Sequence, residues 1–182
     1  MIKIENLTVK YDKTVLNNVN LEFGKNGVYC IVAPSGTGKT TLFNAIVGLV
    51  DFSGKIVVNG KISYLFQEDR LLNWLNAKEN IMLVEPNDKK VEDYSNSFGV
   101  DEFYLEMPQN LSGGMKRRVA LVRTLAYDAD VYLLDEPFKG LDEDNAQKVR
   151  NVIKQISQNK LVLVVTHDEE DVSKLNAEKI LL

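Results

Sequence analysis

The order of apolar and polar residues divides this chain into strand-like and helix-like segments. The first two apolar runs, 2–11 and 14–23, are rich in strand-forming residues and are separated by a short turn, which predicts a small antiparallel sheet. Three compact and almost wholly apolar runs are typical of strands buried on both faces. They are 28–32, 131–134 and 161–165. Helix-like spacing between these runs predicts an α/β fold with a mainly parallel sheet.

Several other segments have equally direct predictions. An Asn59-Gly60 pair between two apolar runs predicts a β-hairpin over 54–66. From about 77 to 107 the chain becomes polar and helix-like, so we expect a helical insertion at the edge of the main sheet, without obvious chemistry of its own. Helices are also predicted for 42–47, 119–127 and 143–157, with a short helix and the apolar residues 180–182 following.

Composition narrows the class of protein. The chain has 182 residues, of which 45% are hydrophobic and 26% charged, as in a globular protein with one sizeable core. The net charge is -4, and the basic residues are interspersed with acidic ones and form no polybasic arm, so we expect no nucleic-acid partner. The single cysteine, Cys30, lies inside an apolar run, which argues against a disulfide framework. The start Met1-Ile2-Lys3-Ile4 has no signal-peptide core, and we expect a cytoplasmic chain.

A glycine-rich segment between the strand 28–32 and the helix 42–47 has the composition of a phosphate-binding loop. Its small residues let backbone N–H groups surround a polyphosphate, and the start of the helix adds its positive end. Lys39 would reach the β- and γ-phosphates, and the Thr40 hydroxyl would bind Mg²⁺. The candidate loop residues are Ala33, Pro34, Ser35, Gly36, Thr37, Gly38, Lys39, Thr40 and Thr41.

Ala33 occupies the position where this loop normally begins with glycine. The substitution is nearly without cost where the backbone φ is negative, and unfavourable where φ is positive. The backbone φ at Ala33 therefore tests whether alanine fits this loop. The loop alone is compatible with kinases, GTPases and many other ATPases, and also with a segment that merely resembles a phosphate site.

Three polar residues follow directly after two of the buried strands. Asp135 and Glu136 come after the run 131–134, and His167 follows 161–165. The carboxyl ends of parallel strands are where α/β proteins bind ligands. Asp135 would then bind Mg²⁺, Glu136 would orient or deprotonate a water molecule, and His167 would donate a hydrogen bond to a γ-phosphate. The alternatives are solvated loop carboxylates and a histidine without a chemical role.

The segment Ser112-Gly113-Gly114 introduces a second helix. Serine is a good N-cap and paired glycines allow close backbone approach, so this is a second candidate anion site. The alternative is an ordinary capped helix. The first turn of this helix is basic and contains Lys116, Arg117 and Arg118. Cations are unfavourable near a helix N-terminus, and a phosphate bound there would compensate for them, so this basic turn favours a bound phosphate.

Taken together, these motifs resemble the nucleotide-binding subunit of ATP-binding cassette transporters over essentially the whole chain. Leu111-Ser112-Gly113-Gly114, between the phosphate loop and the Asp135-Glu136 strand, is the most specific of them. The resemblance implies a single domain over 1–182 with a P-loop NTPase core of mainly parallel sheet, an antiparallel β subdomain and a helical subdomain inserted at about 72–128. It implies ATP and Mg²⁺ as cofactors.

The resemblance also implies a role for each matching position. Tyr11 would stack on adenine, although a tyrosine at a strand end is also common in plain packing. Gln67 would sense Mg²⁺ and contact a membrane partner. Glu136 and His167 would be the catalytic glutamate and the switch histidine, assisted by Lys39 and Gln67. Ser112, Gly113 and Gly114 would cap the γ-phosphate bound by an opposite subunit, and Asp142 would couple the two subunits.

Finer similarities favour an importer. The segments 66–72 and 135–138, together with Trp74 and Met115, resemble the nitrate, sulfonate or taurine import group, which usually has proline at the position of Asn73. We therefore expect an ATP-dependent homodimer that drives transmembrane permease subunits, and through them a solute-binding protein, from the inner face of the cell membrane. The competing hypothesis is a nucleotide-dependent regulatory or binding module that has no role in transport.

Overall fold

The computed structural model describes residues 1–34, 36–84 and 87–182. Within these ranges the chain forms two sheets and six α-helices. The strands are β1 (Ile2–Lys10), β2 (Thr14–Phe23), β3 (Gly27–Val32), β4 (Ser53–Val58), β5 (Ile62–Leu65), β6 (Val131–Asp135), β7 (Leu161–Thr166) and β8 (Glu178–Leu181). The helices are α1 (Lys39–Ile46), α2 (Ala77–Met82), α3 (Asp88–Phe98), α4 (Gly113–Ala126), α5 (Glu143–Ser157) and α6 (Glu170–Leu175).

The larger sheet has five strands in the order β5-β6-β7-β3-β8, and every neighbouring pair is parallel. Every residue of β6 and of β7 is buried, as the apolar runs predict for strands covered on both faces. The register pairs Asp135 with Val165 and Val32 with Thr166. The ends of β3, β6 and β7 therefore meet at one edge of the sheet.

The two faces of this sheet are covered by different elements. One face packs against α1 and the antiparallel sheet β2-β1-β4 through a shared apolar cluster. The other face packs against α2, α3, α4 and α5. Cys30 lies in this second cluster, and its burial raises the pKa of its thiol to about 12, so the thiol is an unreactive core side chain. The α/β fold and the small antiparallel sheet predicted from the sequence are both confirmed.

The predicted β-hairpin over 54–66 is wrong. β4 pairs with β1, with Ile2 opposite Val58, whereas β5 belongs to the other sheet and pairs with β6. The Asn59 amide donates to the carbonyl of Met1, and the Lys61 carbonyl accepts from Val131 at 3.0 Å. The Asn-Gly pair thus carries the chain from one sheet to the other, because each strand finds a distant partner that buries its apolar face.

Two helices begin earlier than their apolar residues indicate. α1 begins at Lys39 rather than at residue 42, and α4 begins at Gly113, six residues before its apolar run and directly after the predicted N-cap Ser112. The first turn of α4 therefore contains both glycines of its motif, whereas in α1 the glycine-rich loop ends at the N-cap, Gly38. None of the described helices is both long enough and apolar enough to cross a membrane. The assignment of 72–128 to a separate subdomain stays a prediction.

Gly60 provides a test of this crossing between the sheets. Its φ is +106°, and a Cβ added there would overlap the side chain of Asp130. We expect Gly60→Ala to lower the free energy of unfolding by about 2–4 kcal/mol, from backbone strain together with overpacking. Gly48→Ala is the matched control, because Gly48 also has positive φ but lies in open space; its cost should be about 1–2 kcal/mol. Urea unfolding measures both, and equal losses would contradict the close approach to Asp130.

Candidate active site

The glycine-rich loop connects β3 to α1 and forms the start of that helix. Gly38 is the N-cap of α1, with φ +96°, and no described side chain caps the helix. A Cβ on Gly38 would overlap Leu16 of β2, so only glycine fits where the loop passes the antiparallel sheet. The first backbone N–H groups of α1 are consequently available to an anion.

Ala33 and Lys39 lie at the two ends of this loop. Positive φ occurs at five described non-glycine residues and Ala33 is not one of them, so alanine fits this position without backbone strain. The buried Lys39 ammonium donates to the carbonyls of Ala33 and Pro34, the latter at 2.9 Å. The Thr37 hydroxyl also donates to the Pro34 carbonyl, at 2.8 Å. These bonds fold the loop around the ammonium group. Ser35 lies outside the described residues.

A cavity of about 200 Å³ brings many of the candidate residues together. Besides the loop, it is lined by side chains at the carboxyl ends of β5 and β6. Its predicted members are Gly36, Gly38, Lys39, Thr40, Thr41, Gln67, Asp135 and Glu136, and Val15 and Val165 complete the lining. The cavity thus brings the Lys39 ammonium and the start of α1 together with two carboxylates.

Thr40 and Asp135 form the part of this cavity that fits a magnesium ion. The Thr40 hydroxyl donates to Asp135 Oδ2 at 2.7 Å, so a hydroxyl and a carboxylate oxygen lie side by side. Burial raises the pKa of Asp135, which is 1% exposed, while the bond from Thr40 lowers it. A divalent cation would compensate for burying the carboxylate, and Mg²⁺ prefers one or two such oxygens together with phosphates. Among the described residues no cluster of three or more acidic, histidine or cysteine side chains could hold a metal alone.

Glu136 follows the last residue of β6 and has a strained backbone. Its φ is +49°, a left-handed conformation that costs a non-glycine residue about 1–2 kcal/mol. Its amide donates to the Val165 carbonyl at 2.9 Å. The carboxylate lies 3.7 Å from His167 Nδ1 and 3.6 Å from Lys139 Nζ. Strain of this kind persists at functional sites where surrounding contacts fix the conformation.

His167 is held at the other side of Glu136 by a buried network. The two residues share a second cavity of about 240 Å³. The neighbouring Thr166 hydroxyl donates to Asp171 at 2.8 Å and accepts from the Asp168 amide at 3.0 Å. Asp171 also accepts from the buried Arg150 of α5. These bonds fix the loop that carries His167, while its imidazole is 68% exposed.

The remaining candidate residues lie outside the cavity that contains Lys39. Tyr11 is 54% exposed and lines a separate hollow with Lys10 and residues 48–51. Ser112 caps α4 by accepting from the Met115 amide at 3.2 Å, and Ser112 and Gly113 are exposed. Asp142 is the exposed N-cap of α5. The roles of Tyr11, Ser112 to Gly114 and Asp142 therefore stay predictions.

Arg117 is a residue of this site that the sequence analysis missed. Its buried guanidinium donates to the carbonyls of Asp135 and Glu136, and Arg118 donates to the carbonyl of Phe98. Both arginines thus bind backbone carbonyls, so no phosphate is needed to explain their place near the start of α4, and the anion site at Ser112 to Gly114 stays a prediction. Nothing in the local sequence distinguishes an arginine that binds backbone carbonyls from one that faces a phosphate.

The chain is similar to known proteins both in sequence and in structure. The model of the family described as ABC transporter matches residues 16–139. The aliphatic sulfonates import ATP-binding protein SsuB of Bacillus cereus is 35% identical over 184 aligned positions, covering 92% of this chain and 73% of the relative. The ergothioneine transport ATP-binding protein EgtV of Helicobacter pylori is 31% identical, covering 96% of this chain and 93% of the relative.

Two solved structures of the bacterial cassette MJ0796 share this fold. One is its dimeric form, with a TM-score of 0.90, 29% identity and coverage of 100% of this chain and 94% of that chain. The other is a dimer after hydrolysis, bound to ADP and Pi, with a TM-score of 0.88, 28% identity and the same coverage. The chain therefore belongs to the ABC transporter family, as an ATP-binding cassette of that family.

Proposed function

We propose that this chain hydrolyses ATP in the cavity between the glycine-rich loop and the end of β6, as a homodimer that drives a membrane importer. The observation that carries the proposal is the joint lining of one cavity by Lys39, Thr40, Asp135 and Glu136. A phosphate cradle, a pair of magnesium ligands and a carboxylate for water activation are the parts that phosphoryl transfer to water requires.

The triphosphate would lie along the loop. The backbone N–H groups at the start of α1 and the Lys39 ammonium supply positive charge at one end of the cavity. Thr40 and Asp135 would hold Mg²⁺, with Gln67 near it. When bound, the ion neutralises charge on the β- and γ-phosphate oxygens. Tyr11 is proposed to stack on the adenine ring.

Glu136 is proposed to act on the attacking water. Its carboxylate orients the water and accepts its proton as the oxygen attacks the γ-phosphorus and the bond to ADP breaks. His167, whose Nδ1 lies 3.7 Å from that carboxylate, is proposed to donate a hydrogen bond to the γ-phosphate. Lys39 balances the charge that develops in the transition state. Catalysis in this arrangement consists mainly of positioning and electrostatic stabilisation.

The second half of the site is proposed to come from another copy of this chain. Ser112 and Gly113 form an exposed helix terminus, which suits a phosphate that is bound elsewhere. Asp142, also exposed, would lie at the junction between the subunits. The resemblance to a cassette whose structure is dimeric supports this arrangement. Two ATP molecules would then be enclosed between Lys39 of one subunit and Ser112 of the other.

The importer role is supported by one exposed aromatic side chain and by the relatives. Trp74 is 72% exposed, and a large aromatic side chain of this kind is a common anchor of protein interfaces. The surface around Trp74 is therefore the candidate interface. The SsuB relatives are named as import proteins. We propose that transmembrane permease subunits bind this surface, so that the chain is cytoplasmic and peripheral to the membrane, and contacts a solute-binding protein only indirectly.

Glu136→Gln tests the catalytic assignment. We expect ATP hydrolysis to fall by about 10² or more, because an amide cannot accept the proton from water. ATP binding should persist, and ATP should trap the dimer, since the loop and the helix termini are unchanged. Turnover, nucleotide affinity and size-exclusion chromatography measure these three properties. Glu92→Gln, at an exposed position on α3, is the matched control with native turnover. Native turnover in Glu136→Gln would contradict the assignment.

Trp74→Ala tests the permease surface. We expect a smaller fraction of the chain to sediment with cell membranes in its native cells, because removing a buried indole from an interface commonly weakens binding by about 2 kcal/mol or more. Leu181→Ala is the control, since Leu181 is similarly exposed at 73% but lies on β8. Sedimentation of Trp74→Ala equal to that of the native chain would contradict this surface. A native chain that never sediments with membranes would favour the non-transport module.

A further inference from the structure

Arg117 makes an unusual set of contacts for a side chain in the core. It lies on the first turns of α4 and is 3% exposed. Nη1 donates to the Phe66 carbonyl at 2.8 Å and to Asp69 Oδ1 at 3.0 Å. Nη2 donates to the Asp135 carbonyl at 2.5 Å and to the Glu136 carbonyl at 2.8 Å. One guanidinium thus joins the segment that follows β5 to the end of β6.

These four acceptors belong to the catalytic edge of the sheet. Phe66 precedes Gln67, which lines the cavity, and Asp69 lies two residues beyond it. Asp135 and Glu136 supply the two carboxylates of the same cavity. Arg117 itself does not line the cavity, so it acts on these residues only through their backbone and through Asp69.

The Glu136 backbone needs such support. Its left-handed φ of +49° is unfavourable for a residue with a Cβ. Two other backbone bonds hold it, from its own amide to the Val165 carbonyl and from the Lys139 amide to its carbonyl. Arg117 is the side-chain contact at that carbonyl, and the same Nη2 also binds the preceding carbonyl of Asp135. This fixes the peptide that joins the two carboxylates.

Filling space alone does not explain a buried cation here. Burial lowers the pKa of Arg117, and the nearby Asp69, Asp135 and Glu136 raise it. Apolar side chains of similar volume fill such positions with less desolvation. The Arg117 guanidinium binds four oxygen atoms, and its donors lie in one fixed plane. We therefore infer that its role is to fix the positions of those oxygen atoms.

We propose that Arg117 is a positioning residue that holds the Glu136 backbone in the conformation that aims its carboxylate at the attacking water. This rests on the proposed role of Glu136 in ATP hydrolysis. Arg117 contacts neither the phosphate-binding loop nor Thr40. It reaches the other candidate magnesium ligand, Asp135, only at the backbone carbonyl, and the Asp135 carboxylate is held separately by the bond from Thr40. Removal of Arg117 should therefore affect the chemical step more than nucleotide binding.

The test compares Arg117→Met with Arg117→Lys in the full chain. Arg117→Met removes every donor and the charge while keeping an unbranched side chain of similar length. We expect kcat to fall by about 10- to 100-fold, as for a reacting group displaced by a fraction of an ångström. The KM and the Kd for Mg-ATP should stay within about twofold, because the loop that binds the phosphates is unchanged. Arg117→Lys keeps three donors and the charge, so its kcat should lie between that of the native chain and that of Arg117→Met.

Arg123→Met is the matched control. Arg123 lies on the same helix and donates to the carbonyls of Asp69 and Arg70, without reaching Asp135 or Glu136. It should retain native kcat. An equal loss in Arg123→Met would show that loosening the 66–70 segment is sufficient, and would overturn the proposal. A native kcat in Arg117→Met, or a loss confined to KM, would also overturn it.

Two further measurements separate the possible failures. Glu136→Gln is assayed alongside: if that variant retains native turnover, the proposed role of Glu136 fails, whereas a normal Arg117→Met beside an inactive Glu136→Gln rejects only the positioning role. Circular dichroism and urea unfolding show whether each variant folds. If Arg117→Met does not fold, Arg117→Lys decides the question by the same split between kcat and Kd.

Discussion

The carboxyl edge of the five-stranded parallel sheet sets the position of every reacting group in this chain. Parallel strands in register end together, and each polar side chain placed just past a strand therefore emerges beside the others. Val32, Asp135 and Thr166 mark that edge in β3, β6 and β7. The glycine-rich loop, the two carboxylates and His167 all follow from this geometry. Without the wholly buried strands β6 and β7 there would be no common edge.

Two buried arginines support the charged groups at this edge. Burial raises the pKa of Asp135, whereas the positive charge of Arg117 lowers it. Arg117 also supports the end of β6 through backbone carbonyls, and Arg150 supports the His167 loop through Asp171. Both arginines come from helices on the same face of the sheet. The Glu136 carboxylate is therefore fixed on one side by the contacts of Arg117 and on the other by the His167 loop that Arg150 and Asp171 hold.

Local sequence patterns predicted most of the elements of the fold and most of the candidate site residues. Features that depend on contacts between distant parts of the chain could not be predicted. Runs of apolar residues located the buried strands, because complete burial requires an unbroken apolar sequence. The Asn59-Gly60 pair was misleading, since its local turn preference is outweighed by pairing of β4 with β1 and of β5 with β6. The contacts of Arg117 span 18 to 51 residues along the chain, and no local pattern encodes such partners. Family resemblance supplied roles for Tyr11, Gln67 and Asp142 that their neighbours in sequence do not indicate.

The proposed mechanism depends most on the sharing of each ATP site between two copies of the chain. Mixing Lys39→Ala protein with Ser112→Arg protein tests it directly, because each mixed dimer would contain one complete site. We predict ATP hydrolysis in the mixture well above that of either variant alone. A mixture of Lys39→Ala with Glu136→Gln should stay inactive, since both changes fall in the same half of the site. An inactive first mixture, or an active second one, would contradict the shared site.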